Sequence, residues 1–279
     1  MGLTYSLRAM TDLGQGDHLC YLYESQDEHR ALLVHYLRLG LERSEKVLYI
    51  VDARTAVTVL DYLRDDGLDV ELLLASGQLS VLTANDTYLR TGVFDPEGMI
   101  ALLRSETERA LSEGYTALRV TDEMTWALRG LPGSDRLIEY EAKLNVFFPD
   151  SKCLAICQYD RRRFPPGVLL DVLITHPLAV VGTAVYGNFY YVPPKDYLGP
   201  DVQEATLRRW LGNLAAYSRM HDTLRQAWEG LAMQVQLRNR GTGESPRSPS
   251  SRNRPPSAVE NGSRGARHGA SRGRQSRAG

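Results

Sequence analysis

The segment from Gly16 to Asp52 restricts the fold of this chain more than any other. His18-Leu-Cys-Tyr-Leu-Tyr23 has the length and aromatic content of a buried strand, and Asp27 to Arg43 repeats apolar residues at helical spacing. Lys46-Val-Leu-Tyr-Ile-Val51 is a second apolar strand. Strand, helix and strand in this order predict a βαβ crossover, the connection that parallel strands require. A nucleotide-binding version would place a glycine-rich loop ending in lysine after the first strand, so that bare backbone N–H groups and an ammonium hold phosphate. The loop here is Glu24-Ser-Gln-Asp-Glu28, without glycine or lysine and with three carboxylates. Such a loop repels phosphate.

Beyond this unit, apolar strands are expected at Gln78–Thr83, Thr116–Glu123 and Lys152–Asp160, alternating with helices at 55–65, 96–113 and 134–147. Cys153 to Tyr159 is almost continuously apolar, as a parallel strand covered on both faces should be. The pattern predicts an α/β fold with a mostly parallel central sheet flanked by helices. A long helix follows from Asp201 to about Leu237. Its Tyr217, His221, Leu224, Trp228, Leu231 and Val235 step by four and three, the spacing of a coiled-coil seam or of a helix packed on its own domain. The expected organisation is a domain over 1–198, the long helix over 199–237 and a tail over 238–279.

The net charge of −1 hides a division. The tail carries ten Arg against two Glu, and the residues before it carry a net −9. The tail has too few apolar residues to offset its chain entropy and is expected to be disordered. A solvated terminus is the preferred reading over a nonspecific nucleic-acid contact through these arginines. No apolar run approaches the ~18 residues of a membrane span, and no secretory leader is legible. Three cysteines in 279 residues fit a reducing compartment, so a cytoplasmic protein is expected.

Ligands of such sheets bind beyond the carboxyl ends of the strands. Those ends carry Glu24-Ser25, Asp52-Ala53, Asp122-Glu123 and Tyr159-Asp160. Without a phosphate loop, Asp122 reads as a rim carboxylate that caps a helix or pairs with Arg119 or Arg161. Glu123, followed by an exposed-prone Trp126, is a candidate pocket wall, and Tyr159 a candidate lining residue. His18 shares a strand face with Cys20, and Cys153 with Cys157. Two His and three Cys could bind zinc, but the spacing is not of the CxxC kind. His18 opens its strand while Cys157 lies near the end of its own, which predicts that they are too far apart to share an ion, with Cys20 and Cys157 the more feasible pair. No metal and no cofactor are therefore expected. Glu141, beside Tyr140, reads as packing or a salt bridge.

Several segments together resemble the MEDS family of methanogen/methylotroph, DcmR-type sensory domains. They are Gly16-Asp-His-Leu-Cys-Tyr21, Lys46 to Asp52, Arg119-Val-Thr-Asp-Glu-Met-Thr-Trp126, Tyr140-Glu-Ala142, Cys157-Gln-Tyr-Asp160, Thr175-His-Pro177 and Asn188-Phe-Tyr-Tyr191. The resemblance spans about residues 14–195. It implies a RecA/KaiC-like sheet with a degenerate phosphate loop. It also implies non-catalytic sensing of a small organic ligand, such as a simple hydrocarbon derivative, in prokaryotic signal transduction or transcriptional regulation. It marks His18, Cys20, Cys157 and His176 as ligand contacts, and the reading of the strand ends adds Glu123, Trp126 and Tyr159 to them. The rival readings are a RecA-like ATPase with an atypical nucleotide site and a scaffold acting through the long helix. No helix-turn-helix, kinase or phosphotransfer segment is legible. The output is therefore expected in a signalling partner, or in a homodimer formed through the 201–237 helix.

Overall fold

The computed structural model describes residues 7–241. The strands are β1 (Leu7–Arg8), β2 (His18–Tyr23), β3 (Lys46–Val51), β4 (Leu79–Thr83), β5 (Leu118–Glu123), β6 (Cys153–Asp160), β7 (Leu178–Val181) and β8 (Ala184–Gly187). The helices are α1 (Gln26–Glu42), α2 (Ala56–Asp65), α3 (Val70–Ala75), α4 (Pro96–Ser112), α5 (Leu137–Phe147), α6 (Pro166–Thr175), α7 (Pro194–Tyr197) and α8 (Val202–Gly241). The strands form one sheet in the order β1-β8-β7-β2-β6-β5-β3-β4. From β7 to β4 every pair is parallel, while β8 runs antiparallel to β7 and β1. This is the α/β architecture the sequence predicts. The apolar run at 178–186 folds as a hairpin, with Gly182 at φ +60° in its turn, where a side chain would be strained.

Alternation along the strands builds two cores. Leu19, Tyr21, Val47, Tyr49, Leu154 and Ile156 face α1, α2 and α3. Cys20, Leu48, Val120, Ala155, Cys157 and Tyr159 face α4, α5 and α6. Two strands, β6 and β5, lie between β2 and β3, so the first crossover spans most of the parallel sheet.

The helix starts follow the sequence. Ser25 caps α1 by accepting from the Glu28 N–H (3.1 Å), and Asp95 caps α4 by accepting from the Gly98 N–H (3.0 Å), with Pro96 opening the helix. Two compact units part between Met220 and His221, within the length of α8. In the first, Trp210 donates from Nε1 to the Tyr190 carbonyl (2.9 Å) and Asn213 from Nδ2 to the Phe189 carbonyl (2.6 Å). In the second, Leu224, Trp228, Leu231 and Val235 of α8 are exposed. The expected disordered tail lies outside the described residues from 242 onward. Among the described residues, no helix is long and apolar enough to cross a membrane.

Candidate functional site

The β2–β6 register decides which polar groups meet. Gly16 adopts φ +91° and donates its N–H to the Cys153 carbonyl (2.8 Å), which starts β2 partway along the longer β6. His18 therefore pairs with Ala155, and Cys20 with Cys157. The expectation that His18 and Cys157 lie too far apart is overturned. Cys157 is only two residues beyond the partner of His18, ~6.6 Å along the strand and on the same face. The imidazole spans that rise, and Cys157 Sγ lies 3.5 Å from His18 Nε2.

His18, Cys157, Glu141 of α5 and His176 at the C-cap of α6 converge in the core between the sheet and these two helices, all essentially inaccessible to solvent. Glu141 Oε2 lies 3.2 Å from His18 Nε2, 3.3 Å from His176 Nε2 and 3.6 Å from Cys157 Sγ. Its other oxygen accepts from the Tyr159 hydroxyl. The two rings are held from behind. His176 Nδ1 lies 2.7 Å from the Val172 carbonyl, which can only accept, so Nδ1 carries the proton. Asn145 Nδ2 donates to the carbonyls of Thr175 (2.6 Å) and Glu141 (3.0 Å). Its Oδ1 is thereby left to accept from His18 Nδ1 at 3.0 Å. Both Nε2 atoms thus face the carboxylate and the thiol. The His18 ring is stacked on Phe148 at 5.0 Å.

Burial lowers the pKa of His18, with His176 acting in the same sense and Glu141 and Asn145 opposing. Burial pushes the Cys157 thiol up, and the Asp122 and Glu141 carboxylates add to it. For Glu141, burial works against ionisation, but the two imidazoles outweigh it and hold the carboxyl below the usual range. Donors of this kind (two imidazoles, one thiol, one carboxylate, mutually within 4.8 Å) suit a divalent transition metal.

The other sequence-predicted residues sit elsewhere. Cys20 lies beside Cys157 and directs its Sγ to the Leu178 carbonyl (3.7 Å), outside the four-group set. Cys153 is core filler. Tyr159 joins the centre through Glu141. Glu123 does not, because it points to the α1–α3 face. There its Oε1 accepts from Tyr49 (2.7 Å) and Arg54 (3.0 Å), and its Oε2 from the N–H groups of Asp52 (3.0 Å), Ala53 and Arg54 (3.0 Å). Burial raises its pKa, yet Arg54 and these donors prevail and the net shift is downward.

Trp126 is buried rather than exposed. The tight turn at Met124–Arg129 folds it under the 84–95 segment, stacked on Tyr88 (4.6 Å) and against Phe94 (4.5 Å). Asp122 pairs with neither expected arginine. It accepts from the Tyr88 hydroxyl, while Arg119 pairs with Glu45 and Arg161 with Glu24. At the end of β2, the Glu28 carboxylate accepts from the Glu24 N–H (2.9 Å) and Ser25 occupies the first turn of α1. That helix terminus is closed by the chain's own oxygens.

The residues missed from the sequence are Glu141 and Asn145. They lie one helical turn apart, interleaved with buried Tyr140, Leu144 and Phe147. Two polar residues at this spacing on an otherwise apolar stripe are a legible signal.

Residues 17–177 match the model of the family described as "MEDS: MEthanogen/methylotroph, DcmR Sensory domain", and the chain belongs to that family. It is 28% identical over 171 residues to the transcriptional repressor DcmR of Methylorubrum extorquens, covering 59% of this chain and 60% of that protein. The chain thus spans about three fifths of that relative's length. Among solved structures it is similar to a KaiC-like protein of Pyrococcus horikoshii, with a TM-score of 0.42 and 14% identity, over 59% of this chain and 70% of the other.

Proposed function

We propose that this chain is a non-catalytic sensory module of prokaryotic signalling, which reads a small organic ligand at the His18–Glu141–Cys157–His176 centre. The observation that supports it best is the fate of the nucleotide machinery. Where phosphate would sit at the start of α1, Ser25 and Glu28 cap the helix. Where a carboxylate would activate water, Glu123 has both oxygens committed to hydrogen-bond donors.

The buried centre has no part in such chemistry. Buried ionisable groups are costly unless they serve an assembled site, and perturbed clusters of this kind mark function. Its closure restricts the ligand to few heavy atoms, such as a simple hydrocarbon derivative, reached as the α5–α6 cover opens. Tyr159 and Cys20 flank the four groups. The exposed seam of α8 is the surface offered to a signalling partner or a second copy in the cytoplasm. A regulatory output fits the likeness to a repressor.

The test is thermal unfolding of the full chain against a panel of one- to three-carbon alcohols, aldehydes and halides, with His176→Gln and Glu141→Gln beside it. At least one compound should raise the Tm of the wild type, and the rise should fall by half or more in both variants. A panel without response, or a response that both variants retain, contradicts the proposal.

A further inference from the structure

The four buried donors have a geometry that the fold does not require. A tetrahedral ion with bonds of ~2.0–2.1 Å to nitrogen and oxygen and ~2.3 Å to sulfur sets N–O edges of about 3.3 Å, and N–S and O–S edges of about 3.5 Å. The N–O edges here are 3.2 and 3.3 Å, the N–S edge from His18 is 3.5 Å and the O–S edge is 3.6 Å. The remaining edges, both from His176, are bounded at 4.8 Å, wider than the tetrahedron requires, so the His176 ring has to close toward the other three donors on binding.

A second observation concerns the proton inventory. Because Asn145 and the Val172 carbonyl place the ring protons on Nδ1, both Nε2 atoms present lone pairs. With both rings neutral, two imidazole lone pairs, a carboxylate oxygen and a sulfur converge with only the thiol proton among them; without an ion, a proton on Nε2 takes its place against Glu141. His176 Nε2 has no hydrogen-bond partner among the described residues despite complete burial. Its 3.3 Å approach to Glu141 is close enough for an ion pair but not aligned as a hydrogen bond. A fully buried His176 Nε2 without a partner, beside three groups that contact one another, is what a shared cation would satisfy. The supporting shell is also in place. Asn145 orients His18, the Val172 carbonyl orients His176, and Tyr159 fixes the second carboxylate oxygen, as outer partners of metal ligands do.

We infer that His18 Nε2, Glu141 Oε2, Cys157 Sγ and His176 Nε2 form a closed binding site for a zinc-class divalent cation. The mixed nitrogen, oxygen and sulfur set is of borderline softness, which suits Zn²⁺ or Co²⁺ over Mg²⁺ or Ca²⁺. On binding, the Cys157 thiol loses its proton to solvent and its thiolate becomes the sulfur ligand, without any redox change. Four protein ligands fill the tetrahedron, so the ion ties β2, β6, α5 and α6 together. The inference rests on the sensory reading for its setting alone: a filled tetrahedron leaves no coordination position open, so the organic ligand would be read against the ion's ligand shell rather than at the ion.

The test uses the full chain with Zn²⁺ or Co²⁺ alone as the probe, so it needs no organic ligand. Native mass spectrometry should find one ion per chain. The Co²⁺ form should show tetrahedral visible bands and a thiolate-to-cobalt charge-transfer band. Cys157→Ser should lose that charge-transfer band, while Cys153→Ser should keep it. Asn145→Ala, which leaves all four ligands in place, should weaken binding by about 10–100-fold. A folded wild type that takes up neither ion overturns the inference, as does an ion retained equally by Cys157→Ser and Glu141→Gln. If the ion binds while no organic compound shifts the Tm, the metal site stands and the sensory reading fails. If organics bind and metal does not, the reverse holds.

Discussion

His29 is a fully buried imidazole of α1, paired through Nε2 with Gln158. Burial, and then Arg54, lower its pKa to about 4, against the opposing pull of Gln158 and two carboxylates. The unfolded chain takes up a proton near pH 6.5, whereas the folded chain refuses it until about pH 4. Stability from this group is therefore complete above pH 6.5 and is lost as pH falls toward 4, by on the order of 3 kcal/mol. Asp122, raised to about 7 chiefly by burial and then by Glu141, acts in the opposite sense over the same range. The comparison must therefore be differential. Urea midpoints at pH 7 and pH 4.5 should show the wild type losing stability relative to His29→Gln, and a pH-independent difference would contradict this assignment. At the same scale, the sequence singles out His18, Cys157 and His176, which the fold brings together, and its reading of Glu141 as packing or a salt bridge stops short of joining that carboxylate to them. The i, i+4 pair Glu141 and Asn145 within an apolar stripe marks burial, but which partners it meets depends on the placement of the opposite strand.

Between elements, α1 lies so close to the sheet that only glycine fits at one point. A Cβ on Gly40 would stand 2.5 Å from Arg119 Cδ and 2.6 Å from its Nε. Arg119 has little room to retreat, because it is fully buried, lies over the Tyr36 ring at 4.5 Å and is paired with Glu45. Gly40→Ala would gain ~1 kcal/mol of helix propensity but should lose more to overpacking, for a net destabilisation of about 1–2 kcal/mol. Chemical denaturation checks this, and an unchanged or raised midpoint would contradict it. The strands and helices from β2 to β6 were legible from periodicity and caps, because those signals are local, whereas the two-residue β1 and the six-residue α3 are too short to carry a period. The β2–β6 register was not legible. It depends on one long-range hydrogen bond from Gly16 and on a β6 longer than its neighbour, and no pattern within His18–Tyr23 encodes either. The burial of Trp126 likewise depends on Tyr88 and Phe94, which arrive from a loop whose path the sequence left open.

At the scale of the whole molecule, the two faces of the sheet have different contents. The α1–α3 face holds Glu123, saturated by Arg54, Tyr49 and the loop after β3. The α4–α6 face holds the buried His, Cys and Glu centre. Residues that looked like one rim in the sequence are thus divided by strand alternation into a structural carboxylate and a candidate site. The start of α1 at that rim is capped by the chain's own side chains, and the His, Cys and Glu cluster lies in the interior. The most direct test of this account is a calorimetric titration of the full chain with MgATP. The closed α1 terminus and the committed Glu123 predict no saturable heat up to millimolar nucleotide. Binding with a Kd tighter than ~1 mM, equivalent to more than about 4 kcal/mol, would contradict the account and restore a nucleotide site to this sheet.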